Sequence, residues 1–81
     1  MTSAPVLIVR IDQKPQPNQR VLFKITDSAG ERYATSDVWL ASLCQRAMDQ
    51  QQRVVIDFGS GWYYRELRQV SIVEDEKAVS A

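Results

Sequence analysis

Hydrophobic and polar residues alternate near the N-terminus in a pattern that predicts a first β-strand at residues 6–11. β-branched residues dominate it, as they do in strands with a buried face. Leu7, Val9 and Ile11 fall on one face of this strand. Residues 13–19 contain two prolines, which lack an amide donor and restrict the residue before them. We therefore expect residues 13–19 to form a polar loop.

A β-hairpin is predicted at residues 21–35. Residues 21–26 alternate between apolar and polar side chains, and residues 31–35 provide a partner strand. The connecting turn begins with Asp27 and ends with Gly30, which are the residue types that a type I turn favours at its first and fourth positions.

One amphipathic helix is predicted at about residues 37–51. Either Ser36 or Asp37 can cap it by accepting hydrogen bonds from the free amides of its first turn. Apolar residues then recur every three or four positions and form one stripe. The members of this stripe are Leu40, Leu43, Cys44, Ala47 and Met48. Val38 and Trp39 widen the stripe at its N-terminal end, so we expect Trp39 to pack in the core.

The last segment, residues 54–73, is predicted to form two strands around a glycine-rich turn. Its second strand slips out of phase between Leu67 and Val70. A β-bulge near Arg68-Gln69 would restore the phase. The alternative is a short helical turn that begins at Tyr63, but the many β-branched and aromatic residues favour the bulged strand.

The predicted order is three strands, one helix and two strands, which gives a mostly β or α+β domain. This order resembles the OB-fold, a partly open five-stranded barrel, over about residues 5–73. A five-stranded antiparallel sheet covered by the helix is the alternative architecture. The pattern predicts one compact domain at residues 5–73, between a flexible N-terminus at residues 1–4 and a flexible acidic tail at residues 74–81.

Composition favours a small globular domain, since hydrophobic residues make up 44% and charged residues 25% of the 81 residues. The ten acidic and ten basic side chains balance, which argues against strong non-specific binding to phosphate. Cys44 is the single cysteine, so no internal disulfide is possible. No apolar run is long enough to span a membrane. We expect a cytoplasmic protein that does not interact with membranes.

Few residues offer catalytic or metal-binding chemistry. The chain has no histidine, which is the usual general base and the commonest metal ligand. Cys44 lies in the apolar stripe of the helix, where a buried and unreactive thiol is expected. We therefore predict a binding protein rather than an enzyme, with no cofactor and no metal.

Aromatic and cationic residues that interleave on the predicted strands are the best candidates for a binding site. They are Trp62, Tyr64, Arg65, Arg68, Tyr33, Arg32 and Lys24. Tyr, Trp and Arg are enriched where proteins bind one another, and the last hairpin concentrates them. The first hypothesis is therefore a protein-interaction surface on that hairpin. The alternative is single-stranded nucleic acid, whose bases stack on aromatic rings flanked by cations, and which OB-folds bind on their second and third strands.

The partner in the first hypothesis is an unidentified protein or a second copy of the chain. A homodimer would form if an edge strand, at residues 6–11 or 64–73, paired with its copy. Packing in the core is the competing role for several of these aromatic residues.

Overall fold

The computed structural model describes residues 1–17, 20–61 and 64–73. The elements are β1 (Ile8–Pro15), β2 (Val21–Asp27), β3 (Arg32–Thr35), α1 (Val38–Asp49), β4 (Val54–Gly59) and β5 (Arg65–Ile72). The strands form one five-stranded sheet in the order β1-β2-β3-β5-β4, and the described part of this sheet does not close into a barrel. This confirms the predicted α+β class. The tail at residues 74–81 lies outside the described residues.

The sheet is mixed, whereas the sequence predicted antiparallel pairing. β3 and β5 run parallel, with Tyr33 opposite Arg65 and Ala34 opposite Glu66. The parallel pair arises because α1 and β4 lie between these strands in the chain and return β5 to β3 in the same direction. The other strand pairs are antiparallel.

Among the residues that the structure describes, one hydrophobic core lies between the helix and one face of the sheet. Its members come from the helix and from all five strands: Ile8, Ile25, Tyr33, Leu40, Cys44, Ala47, Val54, Ile56, Phe58, Leu67 and Val70. None of the described residues form a helix with the length and apolar character that crossing a membrane requires.

β1 continues to Pro15, where the sequence predicted a loop from residue 13. The amide of Gln16 donates to the carbonyl of Arg20 at 2.8 Å. Hydrogen-bonded and non-hydrogen-bonded residue pairs alternate along an antiparallel ladder. Since Gln16 and Arg20 form a hydrogen-bonded pair, Pro15 occupies a non-hydrogen-bonded position opposite Val21. β1 is an edge strand and Pro15 needs no amide donor there, so the strand tolerates this proline.

Burial in the first strand does not follow the simple alternation of its sequence. Ile8 is buried, while Leu7 and Val9 are exposed. The register with β2 shifts between Ile8 and Arg10, so Val9 is an extra residue that bulges from the ladder. The bulge turns Ile11 back towards the core.

Residues 1–6, whose first four were expected to be a flexible end, have hydrogen-bond partners on β4. The amide of Ser3 donates to the carbonyl of Ile56 at 2.7 Å, and Val6 and Val54 exchange two backbone bonds. This segment covers the outer edge of β4. β5 lies inside the sheet between β3 and β4, so the prediction of residues 64–73 as an edge strand was wrong.

Trp39 does not pack in the core, in contrast to the sequence prediction, since it is 71% exposed. The buried residues of α1 are Leu40, Ala41, Cys44 and Ala47. At 3.6 residues per turn this buried arc is centred near Cys44, and Trp39 points about 140° away from its centre. The stripe is therefore rotated towards Ala41 relative to the sequence prediction.

Two other local predictions are confirmed. Gly30 has a positive φ of 86°, and its amide donates to the carbonyl of Asp27 at 3.0 Å, as expected for the hairpin turn. β5 pairs with β4 through Leu67 and Gln69 and skips Arg68. Arg68 is thus the extra residue of a β-bulge, and the segment from residue 65 onward is strand rather than helical turn.

Candidate functional site

The β2–β3 hairpin is held by a buried carboxylate. Asp27 accepts hydrogen bonds from the amides of Ala29 at 2.9 Å and Glu31 at 3.0 Å, and from the phenol of Tyr33 at 2.8 Å. Burial, followed by the hydrogen bond and the negative charge of Asp27, raises the pKa of Tyr33 well above its ordinary value. Its ring also packs edge-on against Phe58, with the centroids 5.6 Å apart.

Tyr33 is therefore a core residue. Its side chain is fully buried, so it offers no surface on which a base or a partner residue can stack. Tyr33 is removed from the predicted binding residues for this reason. The alternation that buries Tyr33 also directs its neighbour Arg32 to the opposite, exposed face of the sheet.

Lys24 and Arg32 share this outer face. Residues directly opposite one another on neighbouring strands lie on the same face. Lys24 is opposite Asp12 of β1, and Thr26 is opposite both Arg10 of β1 and Arg32 of β3. The side chains of three strands thus converge on the side of the sheet away from the helix.

Tyr64 reaches this face from the end of the β4–β5 connection. The parallel pairing of Tyr33 with Arg65 places the residue before each, Arg32 and Tyr64, side by side. Gly61 allows this approach, because a Cβ atom at residue 61 would overlap the carbonyl oxygen of Tyr64. The position of Tyr64 therefore depends on a glycine three residues earlier.

Lys24 and Tyr64 are in direct contact. The Nζ atom of Lys24 lies 4.9 Å from the centroid of the Tyr64 ring, within the range of a cation–π interaction. The hydrogen bond from Lys24 lowers the pKa of the Tyr64 phenol, and the charges of Lys24 and Arg32 act in the same direction. An aromatic ring and two cations thus form one unit at the surface.

Around this unit lies a shallow cleft of about 540 Å³, which we call the basic cleft. It is lined by Arg10, Asp12, Gln13, Lys14, Lys24, Thr26, Arg32 and Tyr64. Four of these residues are cationic and one is a carboxylate. Arg10 Nε pairs with Asp12 at 2.8 Å. A positive, concave surface beside an aromatic ring suits an extended anion that carries flat groups.

The net charge of zero conceals this local positive charge, because most acidic residues that the structure describes lie elsewhere. Asp27 is buried, Asp37 caps the helix, and Asp49 accepts from Gln45 on the exposed side of the helix. The argument from overall neutrality against phosphate binding therefore does not apply to the basic cleft.

Arg65 lies in a second, smaller cleft on the other side of Tyr64. Arg32 and Tyr64 line both clefts and separate them. Arg65 Nη2 pairs with Glu31 at 2.9 Å, and its guanidinium lies 4.6 Å from the centroid of the Phe58 ring. These contacts give Arg65 a structural role in joining β5 to the hairpin turn.

Arg68 lies apart from the basic cleft. At the β-bulge it is exposed, and its Nε pairs with Glu66 at 2.9 Å. Trp62, the remaining predicted site residue, lies outside the described residues. The structure thus brings together Lys24, Arg32 and Tyr64, and it does not bring Arg68 to them.

Cys44 is buried, and burial raises the pKa of its thiol to about 11. Such a thiol is protonated and inaccessible at neutral pH, as the sequence predicted. In the described parts of the chain, no three carboxylate or thiol side chains converge as metal ligands.

Five residues that line the basic cleft were not among the predicted site residues: Arg10, Asp12, Gln13, Lys14 and Thr26. The polar alternation of Arg10 with Asp12 is visible in the sequence. Its contribution to a binding surface could not be recognised from the sequence, because it depends on the cross-strand register and on the continuation of β1 to Pro15. The two prolines had indicated a loop there instead.

No protein-family model, curated protein or solved structure matches this chain.

Proposed function

We propose that the protein binds single-stranded nucleic acid in the basic cleft, without catalysis. The contact of Lys24 with the Tyr64 ring, beside Arg32, supports this proposal most strongly. Single strands are bound where aromatic rings stack bases and cations follow the phosphates. The basic cleft combines both on one face of the sheet.

Each part of the basic cleft has a role in this proposal. Lys14, Lys24 and Arg32 neutralise backbone phosphates, and Arg10 does so where a phosphate replaces Asp12 as its partner. Tyr64 stacks one base, which requires the base to be unpaired and therefore selects single strands over duplexes. Thr26 and Gln13 provide hydrogen-bonding groups for sugar or base edges.

Substitution of Tyr64 tests the stacking role. Tyr64→Ala should weaken binding of a mixed-sequence single-stranded oligonucleotide by roughly 5- to 150-fold, since one base stacked on an aromatic ring contributes about 1–3 kcal/mol. Tyr64→Phe keeps the ring and should retain most of the affinity. Fluorescence anisotropy of a labelled oligonucleotide at low salt measures both, and thermal unfolding verifies that each variant folds.

Arg46→Ala is the matched control, because Arg46 is an exposed cation on α1 and does not line the basic cleft. It should bind as the unmodified protein does. Absence of binding by the unmodified protein at low salt would refute the proposal. Equal losses in Tyr64→Phe and Tyr64→Ala would contradict the stacking role.

A protein-interaction surface on the last hairpin is the second candidate function. The β-bulge supports it, because it projects Arg68 outward beside the exposed Gln69. The ion pairs of Arg65 with Glu31 and of Arg68 with Glu66 weigh against it, since both guanidinium groups already have partners. A partner protein captured by the unmodified chain but not by Arg68→Ala, with no effect of Tyr64→Ala, would favour this candidate.

A further inference from the structure

The first turn of α1 carries an exposed aromatic surface that the proposed function does not use. Trp39 is 71% exposed and Val38 is 65% exposed. The backbone of Trp39 is nevertheless fixed at the start of the helix, because its amide donates to the carboxylate of Asp37 at 2.9 Å. A large exposed ring at the start of a helix is a suitable platform for a flat ligand.

Two shallow clefts of about 330 Å³ each lie beside this turn, and together we call them the apolar groove. They share Arg20, Val21 and Ser36. One of them also reaches Leu22, and the other reaches Val38. No carboxylate lies among the described lining residues of the apolar groove, so that lining does not repel a polyanion.

The apolar groove continues the basic cleft along β2. Leu22 of the apolar groove is directly opposite Lys14 of the basic cleft, and Lys24 follows two residues later on the same face. The pairing of β2 with β3 ends at Phe23 and Thr35. The sheet is therefore open beside Val21, and an extended ligand can pass from its outer face to the start of α1.

We propose that a bound single strand runs from Tyr64 along β2 and across the apolar groove to Trp39, which stacks a second base. This inference depends on the proposed function and adds a second stacking residue, a direction along β2 and a minimum ligand length. Single-strand sites on OB-folds span about 4–16 nucleotides. Shorter oligonucleotides occupy the basic cleft alone, and longer ones reach both aromatic residues.

Oligothymidylates of two lengths test this path. Trp62→Phe leaves Trp39 as the single tryptophan, since the chain has two. In this background we expect oligomers of about 3 and about 12 nucleotides, below and within that range of site sizes, both to bind and both to be weakened by Lys24→Ala. Only the longer oligomer should quench Trp39 fluorescence.

Trp39→Ala should weaken binding of the longer oligomer roughly 5- to 150-fold, the effect of losing one stacked base, and leave the shorter one unchanged. Trp39→Phe should recover most of the loss. Because Trp39 is exposed, both variants should fold, which circular dichroism verifies.

The outcomes separate the inference from the proposed function. If both oligomers bind in a Lys24-dependent manner but the longer one neither quenches Trp39 nor responds to Trp39→Ala, the path is wrong and the proposed function stands. If neither oligomer binds at low salt, both are refuted. If Trp39→Ala abolishes self-association in sedimentation and has no effect on oligonucleotides, the surface binds a second copy of the chain and the path is refuted.

Discussion

At the scale of single residues, Asp27 and Tyr33 show how one side-chain pair determines which side chains lie on the outer face of the sheet. Asp27 is 2% exposed and its carboxylate accepts three hydrogen bonds, so its desolvation is compensated. The Tyr33 phenol donates one of these bonds from within the core. Because Tyr33 points inward, Arg32 on the same short strand points outward into the basic cleft.

Tyr33→Phe should lower the free energy of unfolding by about 2 kcal/mol at neutral pH, the usual contribution of a hydrogen bond to a charged group. It should also change the pH dependence. The pKa of Tyr33 is raised in the folded protein above the ordinary 10.0, by burial first and then by Asp27. The unfolded chain therefore loses its phenol proton at a lower pH than the folded chain does.

The resulting stabilisation is complete below pH 10 and decreases as the pH rises further. Urea titrations across this range should show a steeper alkaline loss in the unmodified protein than in Tyr33→Phe. Tyr64→Phe is the matched control. Its effect on the pH dependence of stability should have the opposite sign, because the pKa of Tyr64 is lowered in the folded protein. Parallel pH profiles for the unmodified protein and Tyr33→Phe would contradict the assignment.

At the scale of elements, local features were predictable and long-range features were not. The Asp27–Gly30 turn and the bulge at Arg68 each depend on a few neighbouring residues, and both are confirmed. The exposure of Trp39 depends on how α1 is rotated about its axis against the sheet. The sequence pattern of the helix does not determine that rotation. The same holds for the parallel pairing of β3 with β5, which sets the position of Tyr64.

The start of α1 gives a prediction at this scale, since the sequence left Ser36 and Asp37 as alternative caps. Asp37 Oδ1 accepts from the amides of Trp39 at 2.9 Å and Leu40 at 3.4 Å. Asp37→Ala should lower the free energy of unfolding by about 1 kcal/mol, the usual loss for an N-cap. Chemical denaturation measures this difference.

Ser36→Ala is the control, and its effect should lie within about 0.5 kcal/mol, as for most exposed positions. If Ser36→Ala destabilised the protein as much as Asp37→Ala, Asp37 would not be the cap. Asp37→Ala should also increase the mobility of the Trp39 ring, seen as lower fluorescence anisotropy in the Trp62→Phe background.

At the scale of the whole molecule, the distribution of charge matters more than its sum. The formal net charge is zero, yet four cations and one carboxylate line the basic cleft. A neutral protein has weak long-range attraction for nucleic acid, so its affinity must come from contacts within the cleft. Binding should therefore depend on salt through a small and countable number of phosphates.

The salt dependence of oligonucleotide binding tests this distribution. Each phosphate that is neutralised on a single strand contributes about −0.7 to the slope of log affinity against log salt concentration. If all four cations of the basic cleft contact phosphates, the slope should be about −3. The double variant Lys24→Ala/Arg32→Ala should reduce its magnitude by about 1.4, whereas Arg46→Ala should leave it unchanged.

These values separate a local site from diffuse attraction. Lys24 and Arg32 are adjacent to Tyr64, so their loss should also reduce affinity at every salt concentration. If Arg46→Ala changed the slope as much as Lys24→Ala alone or Arg32→Ala alone, binding would be spread over the surface rather than confined to one face. A slope near zero with retained affinity would instead indicate a ligand recognised without phosphates, because released counterions are what make phosphate contacts sensitive to salt.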